Sequence, residues 1–170
     1  MNNVAPYILA IVTHTPIWVW AIFALVLFLG YQRTRDRTVA LWRLLLLPAV
    51  MVVTAGSGIV GAGLAAAPAI VVGLVIGGVS GWLMERDGAT RRLPDGRLWL
   101  RGEWASLVQI LAIFVWRYTS AVLTATNPGL AADGNWHLMV AFITTALAAL
   151  FLGRTAARLR VYFASTPATV

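Results

Sequence analysis

Long uncharged stretches alternate along this chain with short arginine-bearing ones, and the lengths of the uncharged stretches predict the architecture. No charged residue occurs from Met1 to Gln32. Crossing ~30 Å of hydrocarbon at 1.5 Å per residue takes about 20 residues, so a first span is expected over about 8–30. Thr15-Pro16 also reads as a helix start; with that beginning, Val4 to Thr13 becomes an interfacial lead-in. Leu44 to Met84 is a run of 41 uncharged residues. As one helix it would extend about 60 Å, twice the bilayer core. It is therefore expected to be a hairpin of two spans, 45–64 and 69–84, broken at Ala65-Ala66-Ala67-Pro68. Further spans are expected over 104–126 and 136–153, with the polar loop 127–135 between them. The segment 85–103 is the one substantial polar connection. Its Pro94-Asp95-Gly96 is a turn signal, and the alternation that follows predicts a short β-hairpin. The tail 154–170 begins as a continuing helix. The expected fold is all-α: a single transmembrane domain over 1–170, an integral membrane bundle of about five helices with a hairpin-like loop.

Charge sets the orientation. All thirteen basic residues are arginine. Twelve fall in three clusters: Arg33, Arg35, Arg37 and Arg43; Arg86, Arg91, Arg92, Arg97 and Arg101; Arg154, Arg158 and Arg160. Each predicted inner connection carries arginine and the outer ones carry none, which puts the N-terminus outside and the C-terminus and loop 85–103 in the cytoplasm. Aromatic residues agree, with Tyr31, Trp42, Trp82, Trp104 and Tyr162 at the inner interface and Tyr7 and Trp136 at the outer. Glu103 at the start of span four and Arg154 at the end of span five would each complement a helix dipole.

Composition narrows the class. With 60% hydrophobic and 11% charged residues, the chain lacks the polar surface of a soluble domain. The net charge of +7 does not read as nucleic-acid binding, because the arginines flank apolar segments and form no solvated basic face. Attraction to anionic inner-leaflet lipid is the simpler account, at about 1 kcal/mol per well-placed arginine. There is no cysteine, so disulfides and thiolate chemistry drop out. No positive region precedes the first apolar stretch, so no cleaved signal peptide is expected. The lysine-free composition, rich in Ala, Gly and Arg, points to bacterial coding and hence to a multi-pass protein of the bacterial inner membrane.

Small residues predict where helices meet. Gly73, Gly77 and Gly81 line one face of span three; Thr54, Ser57, Gly58 and Gly61 recur at helical spacing in span two. Close pairing of spans two and three is expected, with a homodimer seam along Gly73, Gly77 and Gly81 as the alternative. On span four, Ser106, Gln109, Arg117, Ser120 and Thr124 fall within an arc of about 80°. This stripe is expected to face other helices or a wet cavity, with Arg117 close to mid-membrane at a cost of about 2.5–3.5 kcal/mol on insertion scales. No span contains an acid, which leaves Asp133, hydroxyls, carbonyls, an external anion or outward snorkelling to accommodate it. His14 and His137 belong to the outer half. A bis-histidine haem with Arg117 near a propionate is chemically conceivable, but no cofactor is predicted. No metal set and no catalytic constellation is present; Ser57 between Gly56 and Gly58 has no base near it.

The runs His14-Thr15-Pro16-Ile17-Trp18-Val19, Gly30-Tyr31-Gln32-Arg33, Arg35-Asp36-Arg37 and Arg43 to Pro48 resemble the opening of a bacterial family of small multi-span membrane proteins with no assigned function. Gly102-Glu103-Trp104, Phe114-Val115-Trp116-Arg117-Tyr118 and Phe151-Leu152-Gly153-Arg154 are similar to its later landmarks. The resemblance covers nearly the whole chain; it implies an inner-membrane location and supplies no substrate, cofactor or catalytic residue. The leading expectation is a structural or partner-binding membrane protein and not an enzyme. The first alternative is a small transporter or permeation path for an anionic solute, with Arg117, Gln109, Ser120, Thr124 and His14 as substrate contacts. The second is a haem-binding redox protein using His14 and His137.

Overall fold

The computed structural model describes residues 15–85 and 88–164; the side-chain surroundings of 47, 51, 54–62 and 64 lie outside that description. The elements are α1 (Ile17–Gln32), β1 (Arg37–Val39), α2 (Leu41–Ala62), α3 (Ala67–Met84), β2 (Thr90–Arg92), β3 (Leu98–Leu100), α4 (Trp104–Thr126), α5 (Pro128–Ala132) and α6 (Gly134–Ala164), with a 3-10 turn at Leu64–Ala66 before α3. Local chemistry explains several boundaries. Pro16 precedes α1, Gly63 ends α2 at φ +70° and ψ 175°, an extended positive-φ conformation open to glycine, and Pro68 sits in the first turn of α3, where its missing N–H is harmless.

Helices α3, α4 and α6 are long and apolar enough to cross a membrane; α1 and the 41–50 part of α2 are shorter apolar helices. At 16 residues, α1 spans about 24 Å. The outward surface of the helices is broadly apolar: Val53, Leu83 and Val108 are exposed at 72%, 75% and 62%. Apolar cover on this scale suits lipid, not water, and the chain reads as a membrane protein.

The tightest pairing is α3 against α6, which corrects the expected partner of the glycine stripe. Gly73, Gly77 and Gly81 are all buried. A Cβ on Gly73 would lie 2.7 Å from the Phe142 carbonyl oxygen, and Cβ atoms on Gly77 and Gly81 would overlap the carbonyls of Ala146 and Leu150. Gly153 of α6 answers from the other side, seated on the backbone of Gly78 and Trp82. Helix α6 meets the stripe with small residues of its own, Ala146 and Gly153, on the facing side. Helix α2 leans on α6 instead. The stripe is therefore covered within the chain and presents no open seam. The surroundings of Gly58 and Gly61 lie outside the described residues.

Helix α1 packs on α4 through rings and one close approach. Phe23 meets Phe114 with ring centres 5.3 Å apart, and Phe114 stacks on Tyr118. The hydroxyls of Thr15 and Tyr118 are hydrogen-bonded. Gly30 lies beneath Leu107, where a Cβ would strike that side chain. Indole N–H groups tie α4 to α6: Trp116 donates to the Thr144 hydroxyl at 3.1 Å and Trp136 to the Thr124 hydroxyl at 2.8 Å.

At one end of the bundle a small antiparallel sheet closes the helices, in the order β1-β3-β2. Strands β2 and β3 form a hairpin whose turn is shut by the Leu93 N–H donating to the Arg97 carbonyl at 2.8 Å, with Gly96 at φ +75°. The third strand, β1, comes from the 31–43 connection and pairs Arg37 with Leu100 and Val39 with Leu98. Leu98 and Leu100, at 0% and 2% exposure, pack with Leu44 under Val39, Leu41, Leu159 and Tyr162. The alternation that marks the hairpin thus serves a miniature soluble-type core. Residues 154–164 continue the helix past Gly153, as expected, and form the last three turns of α6.

Candidate functional site: a buried arginine–glutamate cluster

The polar chemistry gathers where α1, α3, α4 and α6 meet the sheet. Arg154 and Arg158 are four residues apart on α6 and so share one face. Both are buried, at 3% and 7% exposure. Their partners come from helix ends. Glu85 caps the C-terminus of α3, and Glu103 stands at the N-cap of α4. Arg158 Nε donates to Glu85 Oε1 at 2.9 Å, where the Thr90 hydroxyl of β2 also donates at 3.0 Å. Arg154 pairs with Glu103, lies 3.5 Å from Glu85 through its Nε, and reaches the Ser106 hydroxyl at 3.4 Å. Arg158 Nη2 is 4.0 Å from Glu103. Two cations and two anions thus form one network that fastens three helices and a strand.

This network revises the expected roles of Glu103 and Arg154. Because α6 continues to Ala164, Arg154 lies within the helix and cannot serve its C-terminal dipole. Glu103 makes no side-chain cap hydrogen bond at α4; its carboxylate goes to the arginines. The spacing of Arg154 and Arg158 was the one signal in the sequence, and it was hidden by ending the span at Gly153.

Two more arginines border the network without joining it. Arg33, at the C-cap of α1, and Arg37, in β1, are half-buried. Among the described residues, no carboxylate comes within the 4.0 Å ion-pair limit of either. Arg33 lies over the Phe151 ring at 5.9 Å, and its carbonyl accepts from the Glu103 N–H at 3.0 Å, fixing α1 to α4. Asp36, the nearest acid in sequence, accepts from the Gly102 N–H at 2.7 Å and is exposed. Burial, then the charges of Arg37, Arg158 and Arg154, lower the pKa of Arg33 to about 10; burial and then Arg158 lower that of Arg37. Both remain charged at neutral pH. A folded-state pKa below the unfolded one means that the folded chain carries a charge penalty at neutral pH, relieved as pH rises above about 10.

The other candidate residues are dispersed. Ser106, Gln109 and Ser120 are buried as the stripe on α4 predicts, but Arg117 is exposed. Arg117 is turned about 80° from Gln109 and 60° from Ser120 around the helix but only about 20° from buried Ser106, so cover of the stripe depends on position along α4 as well as on angle. Expecting the whole stripe to face inward therefore fails at its most costly residue. The Ser120 and Thr124 hydroxyls donate to the carbonyls of Arg117 and Ser120 in their own helix, and Thr124 also accepts from Trp136. Gln109 is buried, and neither of its amide atoms has a hydrogen-bond partner among the described residues. His137 hydrogen-bonds the Ala131 carbonyl at 2.8 Å, and its hollow is shared with Ala65, Ala66 and Asp133. His14 lies outside the described residues. Among the described residues, no group of three or more His, Asp or Glu is placed to hold a metal ion.

No curated protein and no solved structure matches the chain. A family match runs through residues 2–169, and so takes in the glycine stripe, the sheet and the whole arginine–glutamate cluster. The chain belongs to that family, described as a family of unknown function (DUF6622).

Proposed function

We propose that this chain is a five-span protein of the bacterial inner membrane, a single transmembrane domain with its N-terminus outside, whose task is to hold a membrane-embedded partner. The exposed position of Arg117 carries the partner-binding reading. The residue lies 13 positions from the start of α4 and 9 from its end, about 20 Å and 13 Å along the axis. A guanidinium at that depth costs about 2.5–3.5 kcal/mol on insertion scales. No hydrogen bond or ion pair to its side chain occurs among the described residues. A second copy of the chain would not relieve this, because no acidic residue lies within any of its long helices. The complementary partner is a different membrane helix that presents a carboxylate at mid-depth. A permeation path is less well supported, since the Ser120 and Thr124 hydroxyls beside Arg117 are used within the bundle.

A photoactivatable residue at Ala121, exposed one turn from Arg117, is expected to crosslink one discrete membrane protein in native membranes. Arg117→Leu should abolish that adduct while leaving the protein folded. Adducts to lipid alone, or an adduct indifferent to Arg117→Leu, would refute the partner-binding role.

The orientation has its own test, eased by the absence of cysteine. Asn135→Cys should react with a membrane-impermeant maleimide in intact spheroplasts, whereas Arg97→Cys should react only after lysis. Both positions are exposed. The reverse pattern would invert the topology and make the arginine-rich end periplasmic, against the usual bias.

A further inference from the structure

Beside the arginine–glutamate cluster is a narrow, partly enclosed cavity lined by Arg33, Ser106, Phe151, Arg154, Thr155 and Arg158, with the first turns of α2 closing another side. Its room for the centre of a water-sized body is about 10 Å³, enough for a single oxygen atom. Among the described residues, the charges around it do not balance. Arg33, Arg37, Arg154 and Arg158 bring four positive charges; Glu85 and Glu103 bring two negative ones, both engaged with Arg154 and Arg158. The surplus sits on Arg33 and Arg37, the half-buried pair with no carboxylate partner among the described residues. Buried charge of one sign requires an opposite charge close by. Guanidinium groups suit phosphate oxygens in particular, since their planar fork can give two parallel N–H bonds.

We infer that this cavity is a binding site for a phosphate-type oxyanion: one non-bridging oxygen enters between Arg33, Ser106 and Arg158, and Arg37 meets the remainder of the group at the mouth. Ser106 and Thr155 supply hydroxyl donors beside the guanidinium groups. The site lies where the apolar helices give way to the sheet, at the level where lipid phosphates sit when α3, α4 and α6 span a bilayer. A basic pocket between helix ends is a recurrent receptor for anionic headgroups. A phospholipid phosphate is the source that this position favours, and a free phosphate would offer the same oxygens. The inference does not depend on the role of Arg117.

The test compares wild-type protein with the R33Q/R37Q double variant and with R101Q, which alters an exposed arginine outside the cavity. In one arm, each protein is taken from nanodiscs of phosphatidylcholine with phosphatidylglycerol, and the phosphatidylglycerol retained is counted by native mass spectrometry. In the other arm, inorganic phosphate is titrated onto protein in neutral detergent and the unfolding midpoint is followed. Wild type and R101Q should each retain one anionic lipid or gain stability from phosphate. R33Q/R37Q should bind at least about tenfold more weakly in the responding arm. A response in the lipid arm alone assigns the site to a headgroup, and one in the phosphate arm assigns it to a free oxyanion as well; either supports the inference. Without anion, R33Q/R37Q should be no less stable than wild type, because it removes two uncompensated cations. A lower midpoint there would mean that protein contacts already satisfy both arginines, and would overturn the site. So would equal binding by all three proteins, or loss of binding in R101Q as large as in R33Q/R37Q.

Discussion

Glu85→Leu is expected to lower the stability of this protein by about 3–5 kcal/mol, the typical consequence of removing one member of a buried ion pair. Its carboxylate is 6% exposed and lies within ion-pair distance of both Arg154 and Arg158. Without it, two buried guanidinium groups share the single charge of Glu103, and the Thr90 hydroxyl loses its acceptor. The contribution of the cluster differs from the damage done by breaking it, because withdrawing four charges from water costs nearly as much as their attraction returns. The double variant Glu85→Leu/Arg158→Leu should therefore recover much of the loss. Unfolding of detergent-solubilised protein, followed by circular dichroism, measures both. A double variant as unstable as the sum of its single changes would show that Arg158 acts independently of Glu85.

Gly77→Ala is expected to destabilise by about 1–3 kcal/mol, the usual penalty for an extra methyl group in a filled interface, and the same change at the next residue should be harmless. The new Cβ at position 77 would overlap the Ala146 carbonyl, which is backbone and cannot swing aside as a side chain could. Helices α3 and α6 would have to separate along their length. At Gly78 a Cβ meets nothing within 4 Å, so Gly78→Ala should be neutral or stabilising by up to about 1 kcal/mol through helix propensity alone. The pair of measurements separates interface packing from intrinsic propensity. Equal effects at the two positions would remove the α3–α6 seam as the organising contact of the bundle.

The residues that betrayed their structure in the sequence are those governed by local rules. Pro68 marks the break between α2 and α3 because its fixed φ and missing N–H suit the first turn of a helix. Pro94-Asp95-Gly96 produced a readable hairpin because turn type follows from the residues inside it. The three glycines of α3 announced a close approach, since nothing else explains small residues at every fourth position. They did not say which helix approaches. Several stretches of this chain offer small residues, and the choice of α6 depends on how the intervening segments route it.

The cluster was harder to see because its members are far apart in sequence. Arg158 and Glu85 are separated by 73 positions, and Arg154 and Glu103 by 51. Each looked like an ordinary interfacial charge, and the positive-inside pattern already accounted for the arginines. Arg117 misled for a related reason. Helical periodicity shows which residues share a face but not how far along the helix a neighbour covers it: Ser106, about 20° from Arg117, is buried where Arg154 reaches it.

Membrane-compatible helices, their approximate ends and the gathering of arginine between them followed from the linear order of residues, because insertion energetics act on each segment almost independently. Pairing α3 with α6, recruiting residues 37–39 as a third strand, burying Arg154 and Arg158 against Glu85 and Glu103, leaving Arg33 and Arg37 with no carboxylate partner among the described residues, and exposing Arg117 were decided only in three dimensions. Those outcomes depend on which surfaces distant segments can bring together at once, and no local preference encodes that.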